Sequence, residues 1–234
     1  MNISIFDVTG PVMIGPSSSH TAGAAKLARI ARLIAGRPFS HVSFGLHGSL
    51  AKTYRGHGTD RALVAGAMGF MEDDERLADA FEIAKERGLS YDFYETELDG
   101  VHENSAVISF ALADPVEVVG SSIGGARIVI RKVNGFDTEF TAAAPTLLIR
   151  QRDQRGIISE TSRILADAGL NIGVMRLSRR AKGDEAFCVV ETDSPVPKSV
   201  TAQIASVKGI LHVSSVDPLG NSPIYGNEPT APGR

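Results

Sequence analysis

Residues 146–180 read TLLIRQRDQRGIISETSRILADAGLNIGVMRLSRR. A short β-prone run, TLLIRQR, gives way after Asp153 to the helical run GIISETSRILADAG, which stops at a glycine before a second β-prone run, NIGVMRLSRR. Downstream, the turn Ala181–Asp184 leads into a strand EAFCVVET, a helix over Lys198–Ser206 and a strand ILHVSSV. The order βαββαβ predicts a ferredoxin-like domain over residues 146–217. Beyond Asp217, Pro218, Pro223, Pro229 and Pro232 with several glycines predict a poorly ordered tail, residues 218–234.

Upstream, the small-residue bridge Ala142–Pro145 separates this domain from residues 1–143. YDFYETEL, AVISFALA, VEVVG, ARIVIRKV and DTEFTAA read as successive strands between Gly, Asn, Asp and Pro turns. Before them lie a strand over His41–His47, a helix from Thr59 or Asp60 to Phe70, and a helix from Asp73 or Asp74 to Arg87. The acidic group Glu72–Glu75 suits the positive end of that last helix as a solvated cap. From Ala22 to Ala35, Leu27, Ile30, Ala31 and Ile34 recur at helical spacing with Lys26, Arg29 and Arg32 off the stripe and Gly36 as the stop. The fold class is therefore α/β (α+β), a mixed first domain followed by the ferredoxin-like one.

That first helix starts inside GPSSSHTAG, residues 15–23. One serine oxygen can cap its free N–H groups, but three serines, His20 and Thr21 exceed what a cap requires. A helix start attracts anions, which points to a carboxylate site. A second polar concentration, LHGSLAKTYRGHGTD, presents His57 between two glycines at the next helix start. Asp99–Asn104 and Gly120–Gly125 add two further polar turns. His20 and His57 read as an acid/base pair or a binding corner for a carboxylate. They read equally as a loop histidine beside a Ser19 cap and a turn with Thr59 as cap. No Gly-Lys-Ser/Thr ending supports a phosphate loop, and a metal would lack a third ligand at suitable spacing.

The totals bound the rest. At 234 residues, 43% hydrophobic and 22% charged, the chain holds two ordinary globular domains. No apolar run approaches the roughly 20 residues of a membrane helix, and Met1 leads into Ser4, Asp7 and Gly10 without a secretory pattern, so the cytoplasm is expected. A net charge of −3 leaves no footprint for nucleic acid. Cys188, the one cysteine, sits among Phe187, Val189 and Val190 as a buried small hydrophobe.

IFDVTGPVMIGPSSSHTAGAAKLARIAR, LHGSLAKTYRGHGTDRALVAGAMGF, the HEN turn and SSIGGARI together resemble the beta subunit of two-subunit, iron–sulfur-dependent bacterial L-serine dehydratases, up to about Asp217. The resemblance implies removal of water from L-serine to give pyruvate and ammonia, with a 4Fe–4S cluster rather than pyridoxal phosphate, held by cysteines of an alpha-subunit partner. A single cysteine here agrees, since a cluster needs several thiolates. The first domain is similar to the allosteric substrate-binding domain of some D-3-phosphoglycerate dehydrogenases, and residues 146–217 look like an ACT domain, which commonly pairs as a homodimer and binds amino acids near the interface. On this resemblance His20 and His57 are the candidate catalytic residues. Ser17, Ser18, Ser19 and Thr21 would hold the substrate carboxylate, with Thr59 and Asp60 fixing the His57 loop. Asp153, Gly156 and Asn171 would hold a regulatory amino acid. Where the family pattern has His-Pro-Asn, this chain has His102-Glu103-Asn104, without proline's fixed geometry. The alternative is a non-catalytic amino-acid-binding regulatory protein.

Overall fold

Helix α1 (Gly23–Ala35) buries the predicted stripe Leu27, Ile30, Ala31 and Ile34, and Gly36 closes it in the left-handed conformation with its N–H on the Arg32 carbonyl. The computed structural model to which it belongs describes residues 17–220 and Tyr225. Arg29, off the apolar stripe, is nonetheless 2% exposed and reaches Glu72 at 3.5 Å. The helix is covered on two sides rather than one, and a buried guanidinium needs such a partner. Glu72 is thus an ion-pair partner, while Asp74 fulfils the capping role, accepting from the Arg76 N–H at 3.0 Å.

After α1 come β1 (His41–Leu46), α2 (Gly48–Thr53), α3 (Thr59–Met68), α4 (Ala80–Glu86) and β2 (Ser90–Glu95). The single helix expected over 73–87 is a 3₁₀ turn, Glu75–Asp79, followed by α4. β1 and β2 pair in parallel, Phe44 opposite Phe93, and a parallel pair needs a long crossover, which α2 to α4 supply. β3 (Ser105–Phe110), β4 (Val116–Ser122) and β5 (Ile128–Val133) extend the sheet in the order β2-β1-β3-β4-β5, with β1–β3 and β3–β4 antiparallel.

α1 packs on β3 and β4 and, most closely, on α3. At the crossing Gly66 faces Ala25 and Ala28, and a Cβ on Gly66 would run into the Ala25 carbonyl. Tyr225 is held by the same helices and their connections: its N–H donates to the Met68 carbonyl at 2.7 Å and its carbonyl accepts from Arg87 at 2.6 Å. Its ring lies 5.3 Å from that of Phe39. Of the tail read as poorly ordered, Pro218–Gly220 and Tyr225 are described, and its other residues lie outside the described residues.

The chain divides into two compact units between Arg131 and Lys132, inside β5, whereas the sequence reading divides it at the 142–145 bridge. β6 (Phe136–Phe140) goes with the second unit, where Phe136 stacks on Phe187 at 5.7 Å. Asn134 and Gly135, both at positive φ, make the tight turn before β6.

The second unit follows the predicted order: β7 (Thr146–Arg152), α5 (Ile157–Asp167), β8 (Ile172–Arg179), β9 (Glu185–Thr192), α6 (Lys198–Ala205) and β10 (Ile210–Val216). All neighbours in its sheet are antiparallel, in the order β10-β7-β9-β8, which is the ferredoxin-like arrangement. Leu147, Ile149, Cys188 and Val190 of the central strands meet Ile164, Leu165, Val200 and Ile204 of the helices in one apolar core. Burial pushes the Cys188 thiol up to about 12, so it behaves as the small hydrophobe the sequence predicts.

Gly66→Ala is expected to overpack the α1–α3 crossing and lower stability by about 1–3 kcal/mol. Urea unfolding measures it; a wild-type midpoint and slope would mean that the helices tolerate a methyl group there.

Candidate functional site

The first unit's polar turns meet at one end of its sheet, held by backbone hydrogen bonds. The His47 N–H donates to the Ser105 carbonyl, the Ser49 N–H to the Glu103 carbonyl, and the Ser122 N–H to the Asn104 carbonyl, at 3.0, 2.9 and 2.8 Å. Gly48 makes the closest approach: at φ 57° its missing Cβ would stand 2.7 Å from the Glu103 carbonyl oxygen. His102 takes part as an acceptor, its Nδ1 receiving the Asn104 N–H at 3.0 Å.

Into this end the chain brings Ser18–Ala22, a π-helical turn that runs directly into α1. Ser17 Oγ accepts the His20 N–H at 3.2 Å at the start of this turn, whereas α1 itself begins after Ala22 with no side-chain cap, so the serine expected to cap the helix serves the turn that precedes it. The side chain of Ser18 lies outside the described residues. The remaining hydroxyls attend the imidazole: Ser17 and Ser19 Oγ stand 3.2 and 3.1 Å from His20 Nδ1, and Ser49 Oγ stands 3.0 Å from Nε2. Both ring nitrogens of His20 are therefore engaged. Burial first, and the His57 charge second, hold the His20 pKa below its ordinary value, favouring the neutral ring.

His57 meets His20 edge-on, ring centres 4.9 Å apart. The Thr21 hydroxyl donates to the His57 carbonyl at 3.0 Å, joining the starts of α1 and α3. Gly58, at φ 68°, is the cap residue of α3, so Thr59 is not its side-chain cap. The His57 Nδ1 and the Thr59 Oγ1 are buried without a hydrogen-bond partner among the described residues. Asn104 Oδ1 and Ser122 Oγ, at the neighbouring turns, share that condition. Asp60 bonds to its own helix rather than to His57. Its carboxylate accepts the Arg61 N–H at 2.8 Å, and burial raises its pKa against the opposing pull of that bond and of the arginines.

Beside His57 opens a pocket of about 360 Å³. Thr21, His57, Asp60, Arg55 and Arg61 give it polar groups, and Leu77 and Phe81 an apolar wall. Sequence reasoning passed over Ser49, Arg55, Arg61 and this wall. The arginines flank the GHGTD motif and were legible there; Ser49 stands inside a quoted polar turn; Leu77 and Phe81 carry no local signal.

In the second unit, the Asp153 carboxylate accepts from the Gly183 N–H at 2.8 Å and from Arg179 at 3.2 Å. Those bonds, the Gly183 one first, hold its pKa down. Gly156, φ 93°, precedes α5 at the same end. Asn171 sits at the other end of β8 and donates to Asp193 at 2.7 Å. Eight strand residues part the two groups, about 26 Å at ~3.3 Å per residue, so one copy does not bring all three residues together.

Among the described residues no helix is long and apolar enough to cross a membrane. Residues 4–114 match the model of the "Serine dehydratase beta chain" family and residues 145–209 that of the ACT domain. The L-serine dehydratase beta chain of Peptoniphilus asaccharolyticus is 43% identical over 88% of this chain and 94% of its own length. The probable L-serine dehydratase beta chain of Bacillus subtilis is 36% identical over 91% and 97%. A D-3-phosphoglycerate dehydrogenase of Bacillus subtilis is 26% identical over 77% of this chain and 34% of its own length.

A depressed His20 pKa has a sign for stability. The unfolded chain takes up the proton near the ordinary imidazole value of about 6.5 and the folded chain only below it, so stability falls as pH drops through that window. Urea unfolding from about pH 7 to about pH 5 should show a larger loss for wild type than for His20→Gln. Equal losses would mean that the folded protein does not resist protonation of His20.

Proposed function

The chain belongs to the serine dehydratase beta-chain family and carries an ACT domain, and from that membership we propose that it is the beta subunit of an L-serine dehydratase. It completes, with an alpha chain, a cytoplasmic lyase that turns L-serine into pyruvate and ammonia. The observation that carries this reading is the His20–His57 pair, two imidazoles edge to edge where two helix starts meet, beside a pocket of about 360 Å³ with room for a small amino acid.

The cofactor expected from the resemblance is a 4Fe–4S cluster, not pyridoxal phosphate. It does not fit this chain. Cys188 is buried with its thiol pushed up to about 12, and the described residues hold no group of three His, Cys, Asp or Glu able to bind a metal. On the resemblance, the cluster belongs to the alpha chain.

This chain's own work is binding and proton handling. The α-proton of serine is weakly acidic, so a neutral base must stand close to it. His57 is the better candidate, because it keeps a nitrogen unspent while both nitrogens of His20 face hydroxyls. His20 then orients and supports it. The turn hydroxyls, expected to hold the substrate carboxylate, are largely taken: Ser17 and Ser19 face His20, and Thr21 serves the His57 carbonyl. Arg55 and Arg61 supply the cationic side of the pocket for that carboxylate, and Asp60 an acceptor for the ammonium.

Regulation through the ACT domain is proposed on separate grounds. β8 is an edge strand that exposes Val174 and Leu177, the latter at 47%. Two copies pairing antiparallel along β8 would form a homodimer and bring Asn171 of each beside Asp153 and Gly156 of the other. L-serine or another small amino acid held there would favour one arrangement of the pair. A second reading, a non-catalytic amino-acid-binding regulatory protein, draws on the likeness to D-3-phosphoglycerate dehydrogenases, which are named for a different reaction.

In enzyme reconstituted anaerobically from both chains with iron and sulfide, His57→Ala should lower turnover by ~10²–10⁴, the scale of a lost general base. Near-wild-type turnover would remove His57 from the chemistry, and serine deamination by this chain alone would remove the division of labour. Titration calorimetry on the full chain should detect a small amino acid whose binding Asn171→Ala weakens; no heat with either protein would remove the regulatory site.

A further inference from the structure

The His20 imidazole is boxed in by three hydroxyls from two parts of the chain. Ser17 and Ser19 belong to its own turn and face Nδ1; Ser49 comes from the first turn of α2, 29 residues away, and faces Nε2. Ser49 is firmly seated. Its N–H is spent on the Glu103 carbonyl, its carbonyl accepts the Thr53 hydroxyl at 2.7 Å, and Gly48 packs directly on the Glu103 backbone.

A neutral imidazole has one N–H and one lone pair, so one side of the ring must donate and the other accept. Two hydroxyl oxygens face Nδ1 and one faces Nε2, so an N–H finds more acceptors at Nδ1. The Ser49 hydroxyl, in turn, has His20 Nε2 as its partner among the described residues. A lone pair at Nε2 uses that proton; an N–H there would leave it without an acceptor. Burial, together with the His57 charge, favours the neutral ring this requires.

We propose that Ser49 is a positioning residue: its hydroxyl donates to Nε2 of His20 and holds the imidazole as the Nδ1–H tautomer, turned toward Ser17 and Ser19. The importance of that role for turnover rests on the reading of His20 and His57 as the proton-handling pair. A fixed tautomer keeps His20 neutral and its ring edge-on to His57, so His57 has one constant neighbour when it takes a proton.

The test needs neither partner nor substrate. In the full-length chain labelled with ¹⁵N-histidine, above the imidazole's titration range, the His20 signals, identified by their loss in His20→Gln, should show a protonated Nδ1 and an unprotonated Nε2. Ser49→Ala should shift the population toward Nε2–H while the amide spectrum stays native, and Ser49→Thr should restore the wild-type pattern. A protonated Nε2 in wild type, or an unchanged His20 in Ser49→Ala, overturns the proposal, whatever the fate of the His57 turnover experiment. In the reconstituted enzyme Ser49→Ala should lower kcat by up to about 10²-fold, the cost of a small misplacement, with KM little changed and Ser49→Thr restoring it. An unchanged kcat overturns the positioning role.

Discussion

The close crossing of α1 and α3 is the constraint on which the site depends. Gly66 lets the helices approach until Ala25 and Ala28 fill the space a side chain would take, and the two helix starts are thereby brought together. Thr21, at the start of one, reaches the carbonyl of His57, at the start of the other, and the imidazoles of His20 and His57 meet as a result. Packing of small residues in the core thus sets a distance between polar groups at the rim. Protein interiors are close-packed and yield little, so such a distance is held firmly.

Hydrogen-bond accounting separates the two histidines. Every polar atom of the His20 ring faces a hydroxyl, whereas His57 Nδ1, Thr59 Oγ1, Asn104 Oδ1 and Ser122 Oγ are buried without partners among the described residues. An unsatisfied buried polar group costs about 1–3 kcal/mol, and native structures keep few of them without a reason. Of the four, His57 is the one whose residue also lines the pocket.

The second unit was legible almost residue by residue. TLLIRQR, EAFCVVET and ILHVSSV are the strands β7, β9 and β10, because each β-prone run ends at an Asp or Gly turn that leaves no alternative boundary. In the first unit long-range packing set more of the outcome. α2 is six residues long, too short to show a period, and falls within the polar concentration LHGSLAKTYRGHGTD. Arg29 lies off the apolar stripe, and nothing local announces that it will be buried against Glu72. His20 and His57 could be singled out because glycines and hydroxyls mark them locally; the Ser49 contact and the Leu77–Phe81 wall are products of folding. The three residues expected to share an amino acid in the second unit fall at opposite ends of β8, a separation that follows from strand direction and is invisible until the sheet order is known.

Cys188 faces the helices from the middle of the second sheet, wholly covered and with its proton held tightly. Alkylating reagents and peroxide act on accessible thiolates, and in the native fold this sulfur is neither accessible nor ionised. Labelling of an intact assembly with maleimide would therefore leave this polypeptide unmarked, and every adduct or thiol lost to air could be traced to whatever else the assembly contains.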